Sequence, residues 1–583
     1  MRRTKILATI GPASCELETI KKMIEQGLDA ARFNFSHFNF DVGINWINNV
    51  KEARETMGKA IPLILDTKGP EIRTKTLEGD KIYLEQGAEF TLTTEDIVGD
   101  QTRVSVTYEN LPRDLKVGSR VLIDDGLLEM NVVAIKGKNI KCVLVNSGFL
   151  GNRKGINVPD VFVDLPSLTE KDIEDIKFGI KNDFDFVAAS FVRTADDIIN
   201  IRKVLDDNGG SHIRIIAKIE SRDGVNNLDS ILEVADGVMV ARGDLGVEIP
   251  PEEVPIVQKE MINRCNLVGK PVITATHMLE SMCNNPRPTR AEASDVSNAI
   301  FDGTDAVMLS GETAGGKYPV ESIAMMARIA QKAEGNIEYS SQHASYYRNL
   351  NKNITNAISY AAVATALDMD AACIVPITDS GFAARMVSRS RPSCPILAIT
   401  TNPVTYRQLN LSWGCIPMLS DKSFDGDAEL FEIAEEMALK SEIASNGDAI
   451  VAVAGVPVLS AGATNTIRVL TVGNVLAKGK GNNHGVINGV ARVFTSPEER
   501  VFFEQGDIIV CTNTDDSMLD QLKKAGGLVI GSWEKQDYSH AETVSKALDL
   551  PLLVVNVRAV DFVRTGMAIT LDTDDGLLIN GSK

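Results

Sequence analysis

The sequence is poor in the residues that build disulfide frameworks and metal clusters. Its eight cysteines stand at 15, 142, 265, 283, 373, 394, 415 and 511 without a CxxC pair, a usage that excludes a structural zinc site and predicts a reduced, intracellular chain. Histidine occurs only six times, and there is no HExxH, nucleophile elbow or GxGxxG fingerprint. Long apolar runs are also missing. The longest, Ala449 to Ala463, is broken by Gly455, Pro457 and Gly462, short of the ~18 uninterrupted residues of a membrane span. The opening MRRTKILATIGPAS starts basic, but Gly11-Pro12 interrupts it and Glu16 and Glu18 follow, too short for a signal-peptide core. A cytoplasmic chain without membrane contact is expected. Positive charge is in deficit, 60 Lys+Arg against 79 Asp+Glu for a net of −19. That balance argues against nucleic-acid binding and confines any basic site to a local patch.

What is present is length: 583 residues, 44% of them hydrophobic, material for roughly three to five domains at ~100–200 residues each. From residue 4 to about 345 one rhythm repeats, a short apolar strand with a polar tail followed by an amphipathic stretch. Candidate strands are Thr4–Thr9, Ala30–Phe35, Ile61–Asp66, Phe186–Phe191, Ile213–Ile219, Gly237–Ala241, Pro271–Thr276 and Asp305–Leu309. Eight strands alternating with helices predict an α/β fold, a (β/α)8 TIM barrel with its site at the strand ends. Those ends read NFSH, DTKGPEIR, KIESRDG, ARGDLG, ATHMLES and LSGETAGG. Between the third and fourth strands, residues 70–166 switch to period-two alternation with Gly and Asp turns, which predicts a small all-β domain inserted as a lid.

The expected division is therefore a barrel over 1–69 and 167–345, an inserted small β-barrel lid over 70–166, an α/β sandwich domain over 346–478 and an appended small α/β domain over 479–583. A polar link, GNIEYSSQHASYYRNLNKN, precedes the third unit, where AACIVPIT, CPILAITT, AIVAVAG and IRVLTVG read as buried strands. KGKGNN, residues 478–483, reads as a linker to the fourth.

Strand alternation sharpens the tails, since residues two apart share a face. Arg32, Asn34 and Ser36 fall together, opposite Phe33 and Phe35; Ile216, Lys218 and Glu220 share a face. A lysine and a glutamate ending an apolar strand are costly to bury unless paired or functional, and the residues leave a rim ion pair and a catalytic pair both open. Asp244 on the next strand offers a second carboxylate, and two carboxylates completed by water and substrate oxygens suit Mg2+ or Mn2+. Asn34, Ser36, Asp66 and Thr67 supply oxygen donors with a single charge, which fits K+ better than zinc, while loop capping fits them as well. GETAGGKY, residues 311–318, is one residue from a P-loop, but Tyr318 stands where Ser or Thr reaches Mg2+ and Pro319 follows. A glycine turn entering a helix is the stronger reading.

In order, KILATIGPAS, ARFNFSH, LDTKGPEIR, AKIES, VARGDLG, MLESM with PRPTRAE, and MLSGETAGGKYP resemble the pyruvate kinase family over residues 1 to about 478. The resemblance implies transfer of the phosphoryl group of phosphoenolpyruvate to ADP, giving pyruvate and ATP, with Mg2+ (or Mn2+) and K+ as cofactors. It implies Glu220 and Asp244 as ligands of the divalent ion, and Lys218 as the cation facing the transferring phosphoryl group. Arg73 and Arg32 would lie by the phosphate, Gly243 and Asp244 amides by the substrate carboxylate, and Thr276 and Ser310 in the region of enolate protonation. Asn34, Ser36, Asp66 and Thr67 would hold K+, with Glu71 of the potassium-dependent type. Asn34, His37, Arg73 and Lys154 would touch nucleotide. A homotetramer and a phosphorylated allosteric effector at Thr378, Ser380 and Gly381 are also implied, a helix N-cap being the plain alternative at that loop. The tail resembles a phosphohistidine domain, with Tyr538-Ser539-His540-Ala541 around the histidine, but lacks the usual residues before it, so a docking or structural role is expected. Three residues depart from the family pattern: Phe38 and Asp160 stand in place of glycine, and His277 in place of glutamine. His277 is expected to be a hydrogen-bonded structural histidine.

Overall fold

The structure is a computed structural model that describes residues 1–339, 353–422, 426–456, 464–497, 499, 501–532 and 537–581. The chain forms two compact units, Met1–Tyr360 with Thr378–Asp421, and Ala361–Ile377 with Lys422–Lys583.

In the first unit eight parallel strands close in chain order: Lys5–Thr9, Ala30–Asn34, Leu63–Asp66, Phe186–Ala189, Arg214–Ile219, Gly237–Ala241, Val272–Ala275 and Ala306–Leu309. They are buried on both faces, as the unbroken apolar runs require. The barrel interior is filled by one or two residues per strand, among them Leu7, Ile64, Phe186, Ile216, Met239 and Ile273. A second layer of Ile, Val and Phe joins strands to helices. Helix starts follow local capping. Thr169–Asp172 and Thr289–Glu292 form capping boxes, and Pro319 occupies the first turn of helix Pro319–Glu334, as the glycine-turn reading of residues 311–318 expects.

The insertion is a seven-stranded sheet running Ile72–Arg73, Gly155–Asn157, Arg120–Ile123, Leu128–Lys136, Asn139–Leu144, Glu89–Thr93 and Arg103–Ser105. An antiparallel bridge between Thr74 and Val106 joins its two edges, closing it as a small barrel. A ribbon of Lys81–Leu84 and Gly148–Gly151 stands beside it. The segment Thr378–Asp421 contributes a parallel pair, Ile396–Thr400 and Cys415–Leu419.

In the second unit Cys373–Pro376 pairs parallel with Ala449–Ala454, which pairs antiparallel with Thr466–Thr471. IRVLTVG is thus a partly exposed strand rather than a buried one. The tail, expected as a small α/β domain, is a closed seven-stranded barrel. Its parallel half, Ile508–Cys511, Gly527–Gly531 and Leu552–Val555, carries helices Leu519–Leu522 and Ser539–Leu548 in the crossovers. Long antiparallel strands, Val475–Asn482 and Val486–Phe494, complete the closure. The linker expected at 478–483 is therefore overturned, because most of it is strand. Its glycines are required by packing: a Cβ at Gly479 would strike the Val554 carbonyl and one at Gly481 the Thr573 carbonyl. The polar link expected after the barrel lies, from 340 to 352, outside the described residues.

Candidate active site

Strand register brings the charged tails together. Asn34 lies opposite Asp66, and Asp66 opposite Ala188, so the second, third and fourth strands present one row at the barrel mouth. Phe33 and Phe35 turn into the outer core while Arg32, Asn34 and Ser36 face the opening. That opening is a cleft of about 480 Å³ between the barrel mouth and the insertion, lined by Arg32, Asp66, Lys218, Glu220 and Asp244 from the barrel, with Arg73 and Lys154 from the insertion.

Lys218 is the hub. Its Nζ donates to Asp66 Oδ1 at 3.1 Å and Ser190 Oγ at 2.7 Å, and pairs with Glu220 Oε1 at 3.0 Å. Asp66, 1% exposed, also accepts from Arg32 Nε at 2.6 Å, and Arg32 Nη1 donates to Thr9 Oγ1 at 2.7 Å. Burial alone would raise the Asp66 pKa, but Arg32 and Lys218 outweigh it and hold the carboxyl below its ordinary range. Burial lowers and the two carboxylates raise the Lys218 value. The carboxylates win, so Lys218 stays an ammonium at neutral pH.

Glu220 and Asp244 are short of positive charge. Burial pushes Glu220 up to about 7; Lys218 opposes this, and the Asp244 charge adds to it. Burial raises Asp244 as well, and the two carboxyls share a hydrogen bond. Glu220 Oε2 is fixed by the Phe191 amide at 2.6 Å. Two converging carboxyls with no soft ligand and too little counter-charge fit a hard divalent cation whose remaining ligands are water and substrate oxygens. Among the described residues no group of three or more His, Cys, Asp or Glu is placed to hold a metal, so the fit is to an ion completed by substrate rather than to a protein cage.

The lid residues are pre-engaged. Arg73 pairs with Glu71 and donates through Nη1 to the Arg153 carbonyl at 2.9 Å, while Lys154 Nζ pairs with Asp124 Oδ1 at 2.9 Å.

Other expected residues stand back from the cleft. Thr67 is buried, its Oγ1 accepting from the Ser190 amide at 3.1 Å. His37 is exposed and outside the lining. Thr276 Oγ1 accepts from the Gly243 amide at 2.7 Å and donates to the Ala275 carbonyl at 2.6 Å. Thr276 and His277 both adopt left-handed backbone, φ 68° and 53°, rare for a β-branched residue. Arg242 holds that turn by donating to the Ala275 and Thr276 carbonyls at 3.2 and 2.6 Å. His277 is exposed and makes no side-chain hydrogen bond among the described residues, which corrects the expectation of a bonded structural histidine. The Ser310 amide donates to buried Glu312 at 2.7 Å. Thr378 is buried, the Ser380 carbonyl accepts from Arg214 Nη2 at 2.7 Å, and Gly381, at φ 77°, caps helix Phe382–Arg389. In the tail, His540 Nδ1 lies 2.9 Å from Thr514 Oγ1 and Nε2 3.3 Å from Asp516.

Ser190, Phe191 and Asp124 escaped the sequence reading. Ser190 and Phe191 follow the fourth strand, and their position at a strand end was the available signal. They carry no charge to draw attention, and Phe191 acts through its backbone.

A parallel eight-stranded barrel with an inserted lid, and a lysine among buried carboxylates at the strand ends, defines a barrel enzyme built for anionic substrates. The chain belongs to the pyruvate kinase family. The family model "Pyruvate kinase, barrel domain" matches residues 1–323, "Pyruvate kinase, alpha/beta domain" residues 356–470, and "PEP-utilising enzyme, mobile domain" residues 503–576. A pyruvate kinase of Sporosarcina psychrophila is 44% identical over 100% of this chain and 99% of its own length. One of Clostridium acetobutylicum is 48% identical over 81% of this chain and 100% of its own. The crystal structure of a pyruvate kinase from Cryptosporidium parvum superposes with a TM-score of 0.77 at 39% identity, covering 81% of this chain and 96% of that one. The chain is thus a glycolytic phosphotransferase that moves a phosphoryl group from phosphoenolpyruvate to ADP, in a family that depends on metal ions. Among the described residues, no helix is long and apolar enough to cross a membrane.

Proposed function

We propose that the cleft catalyses this transfer with Glu220 and Asp244 holding Mg2+ (or Mn2+), and with Asn34, Ser36, Asp66 and Thr67 holding K+. The observation that carries the reading is the convergence of Lys218, Arg32 and Arg73 on a cleft whose two carboxyls have too little counter-charge. When bound, the divalent ion supplies electrostatic stabilisation to substrate oxygens. Lys218 remains protonated and acts as a fixed cation. All three of its N–H groups have acceptors, so a phosphoryl oxygen that enters takes over one of those bonds rather than ordering a free side chain. Arg32 is held by Asp66 and Thr9 and presents a guanidinium of set orientation to the phosphate. Arg73 and Lys154 exchange Glu71 and Asp124 for nucleotide phosphates as the lid closes and excludes water. Thr276 fixes the Gly243 amide beside the substrate carboxylate and, with Ser310, borders the face from which the enolate is protonated.

The same reading includes four domains with the boundaries given above, the last beginning at the strand Val475–Asn482 rather than at 479. It also includes a cytoplasmic homotetramer and a phosphorylated effector at Thr378, Ser380 and Gly381. Support for an effector lies in the tie from Ser380 to Arg214, which opens the strand Arg214–Ile219 that carries Lys218 and precedes Glu220.

The test is pyruvate formation from phosphoenolpyruvate and ADP, with and without K+ and Mg2+. Activity that needs both ions is expected. Turnover unaffected by removing Mg2+ overturns the carboxylate assignment, and turnover unaffected by removing K+ overturns the K+ assignment alone.

A further inference from the structure

Helix Phe40–Thr56 begins after the short loop that follows strand Ala30–Asn34 and carries Ser36, and its fourth residue is Gly43. Glycine inside a helix costs about 1 kcal/mol relative to alanine, and Gly43 has no left-handed backbone to explain it. The reason is a close approach. A Cβ at position 43 would run into the ring of Phe38, with three ring atoms within 2.5 Å of it. The Phe38 ring lies in the slot the missing side chain leaves, stacked on Phe35 with centroids 4.3 Å apart and planes at 18°. Its edges meet Trp46 at 6.2 Å and Phe178 at 6.0 Å.

That stack is joined to the cleft lining through Phe35. Phe35 is fully buried between Asn34 and Ser36, the two residues that face the opening. Asn34 Oδ1 accepts from the Ser36 amide at 3.1 Å, and the Phe35 carbonyl accepts from Lys171 at 3.1 Å. Phe35 therefore lies in sequence between two residues of the cleft lining, with its ring packed on Phe38.

We infer that Phe38 and Gly43 are a matched pair of positioning residues that set the placement of Asn34 and Ser36, and with it the affinity for the monovalent cation. The inference rests on the K+ reading proposed above. Neither residue touches the ion or the substrate. Their effect passes through Phe35, which stacks on Phe38, because a close-packed interior of low compressibility transmits strain.

The experiment measures Tl+ binding, as a K+ surrogate, by 205Tl NMR, together with the K+ half-saturation of turnover and the thermal midpoint, in Gly43→Ala, Phe38→Ala and the double variant. Gly43→Ala should raise the K+ half-saturation about tenfold, the scale of an overpacked contact transmitted to a site, with kcat at saturating K+ changed less than twofold. Phe38→Ala, which removes the ring packed on Phe35, should raise the K+ half-saturation as well, and the double variant should do no worse than Phe38→Ala, since the new methyl meets no ring. A double variant whose loss is the product of the two single losses overturns the pairing. So does a lowered thermal midpoint with Tl+ affinity unchanged, which is what a merely structural role produces. If the native chain itself binds no Tl+ and ignores K+, the cation reading falls, and this inference with it, by a result distinct from either of those.

Discussion

The barrel cleft and the tail around His540 hold similar chemical groups in different surroundings. In the cleft, Asp66 and Glu220 are each 1% exposed and Lys218 11%, so their charges are set by each other. In the tail, His540 is 32% exposed and its partner Asp516 91%, so water screens the pair and it carries little energy. Both contain a histidine, lysine or carboxylate with hydrogen-bonding neighbours, yet only the cleft removes water from them. Burial, not residue identity, separates a poised site from a solvated one. The Clostridium acetobutylicum relative matches over its whole length while leaving about a fifth of this chain without a counterpart.

The contrast can be broken by removing its central charge. Lys218→Met is expected to lower kcat by about 10³-fold or more, the scale of a lost transition-state cation, measured by pyruvate release at saturating substrates. Asp66→Asn leaves Arg32 and Lys218 sharing a neutral amide. It should destabilise the first unit by about 3 kcal/mol, the low end for breaking a buried pair, read by urea denaturation. Its pH dependence has a definite sign. The native Asp66 pKa lies below its unfolded value, so its stabilisation is present above the ordinary carboxylate range and fades as pH falls through the folded value. Native stability should therefore decline more steeply than that of Asp66→Asn below about pH 4.

A smaller test compares the two regions residue for residue. Asp160 in the lid return and Asp549 after the tail helix both sit in left-handed backbone, φ 60° and 51°. Glycine relieves that strain, worth about 1 kcal/mol at most. Asp549→Gly should raise the melting of the tail slightly and leave turnover alone. Asp160→Gly, in the cleft lining, should change the KM for ADP, measured by steady-state kinetics.

Much of this was legible in the sequence because barrel strands write their burial as uninterrupted Val, Ile and Ala, and their ends as sudden polarity. Lys218 and Glu220 stood out for that reason, and alternation put Arg32, Asn34 and Ser36 on one face correctly. Ser190 did not stand out, since a neutral residue at a strand end looks like any loop serine until the register sets it beside Lys218. The tail was harder. Gly479 and Gly481 read as a flexible link when they are strand positions where another chain segment passes too close for a side chain. Phe38 and Asp160 were visible as departures, but the sequence did not say that Gly43 makes room for the first, nor that the second keeps the left-handed conformation a glycine would adopt.

The most direct test of the central claim is a rapid-quench single turnover with phosphoenolpyruvate and ADP, in the native chain and in His540→Ala. Direct transfer in the barrel cleft predicts equal rates of pyruvate and ATP formation in the two proteins and no phosphorylated protein at any time. A phosphoprotein that forms and decays at the rate of turnover in the native chain, with turnover lost in His540→Ala, would contradict it.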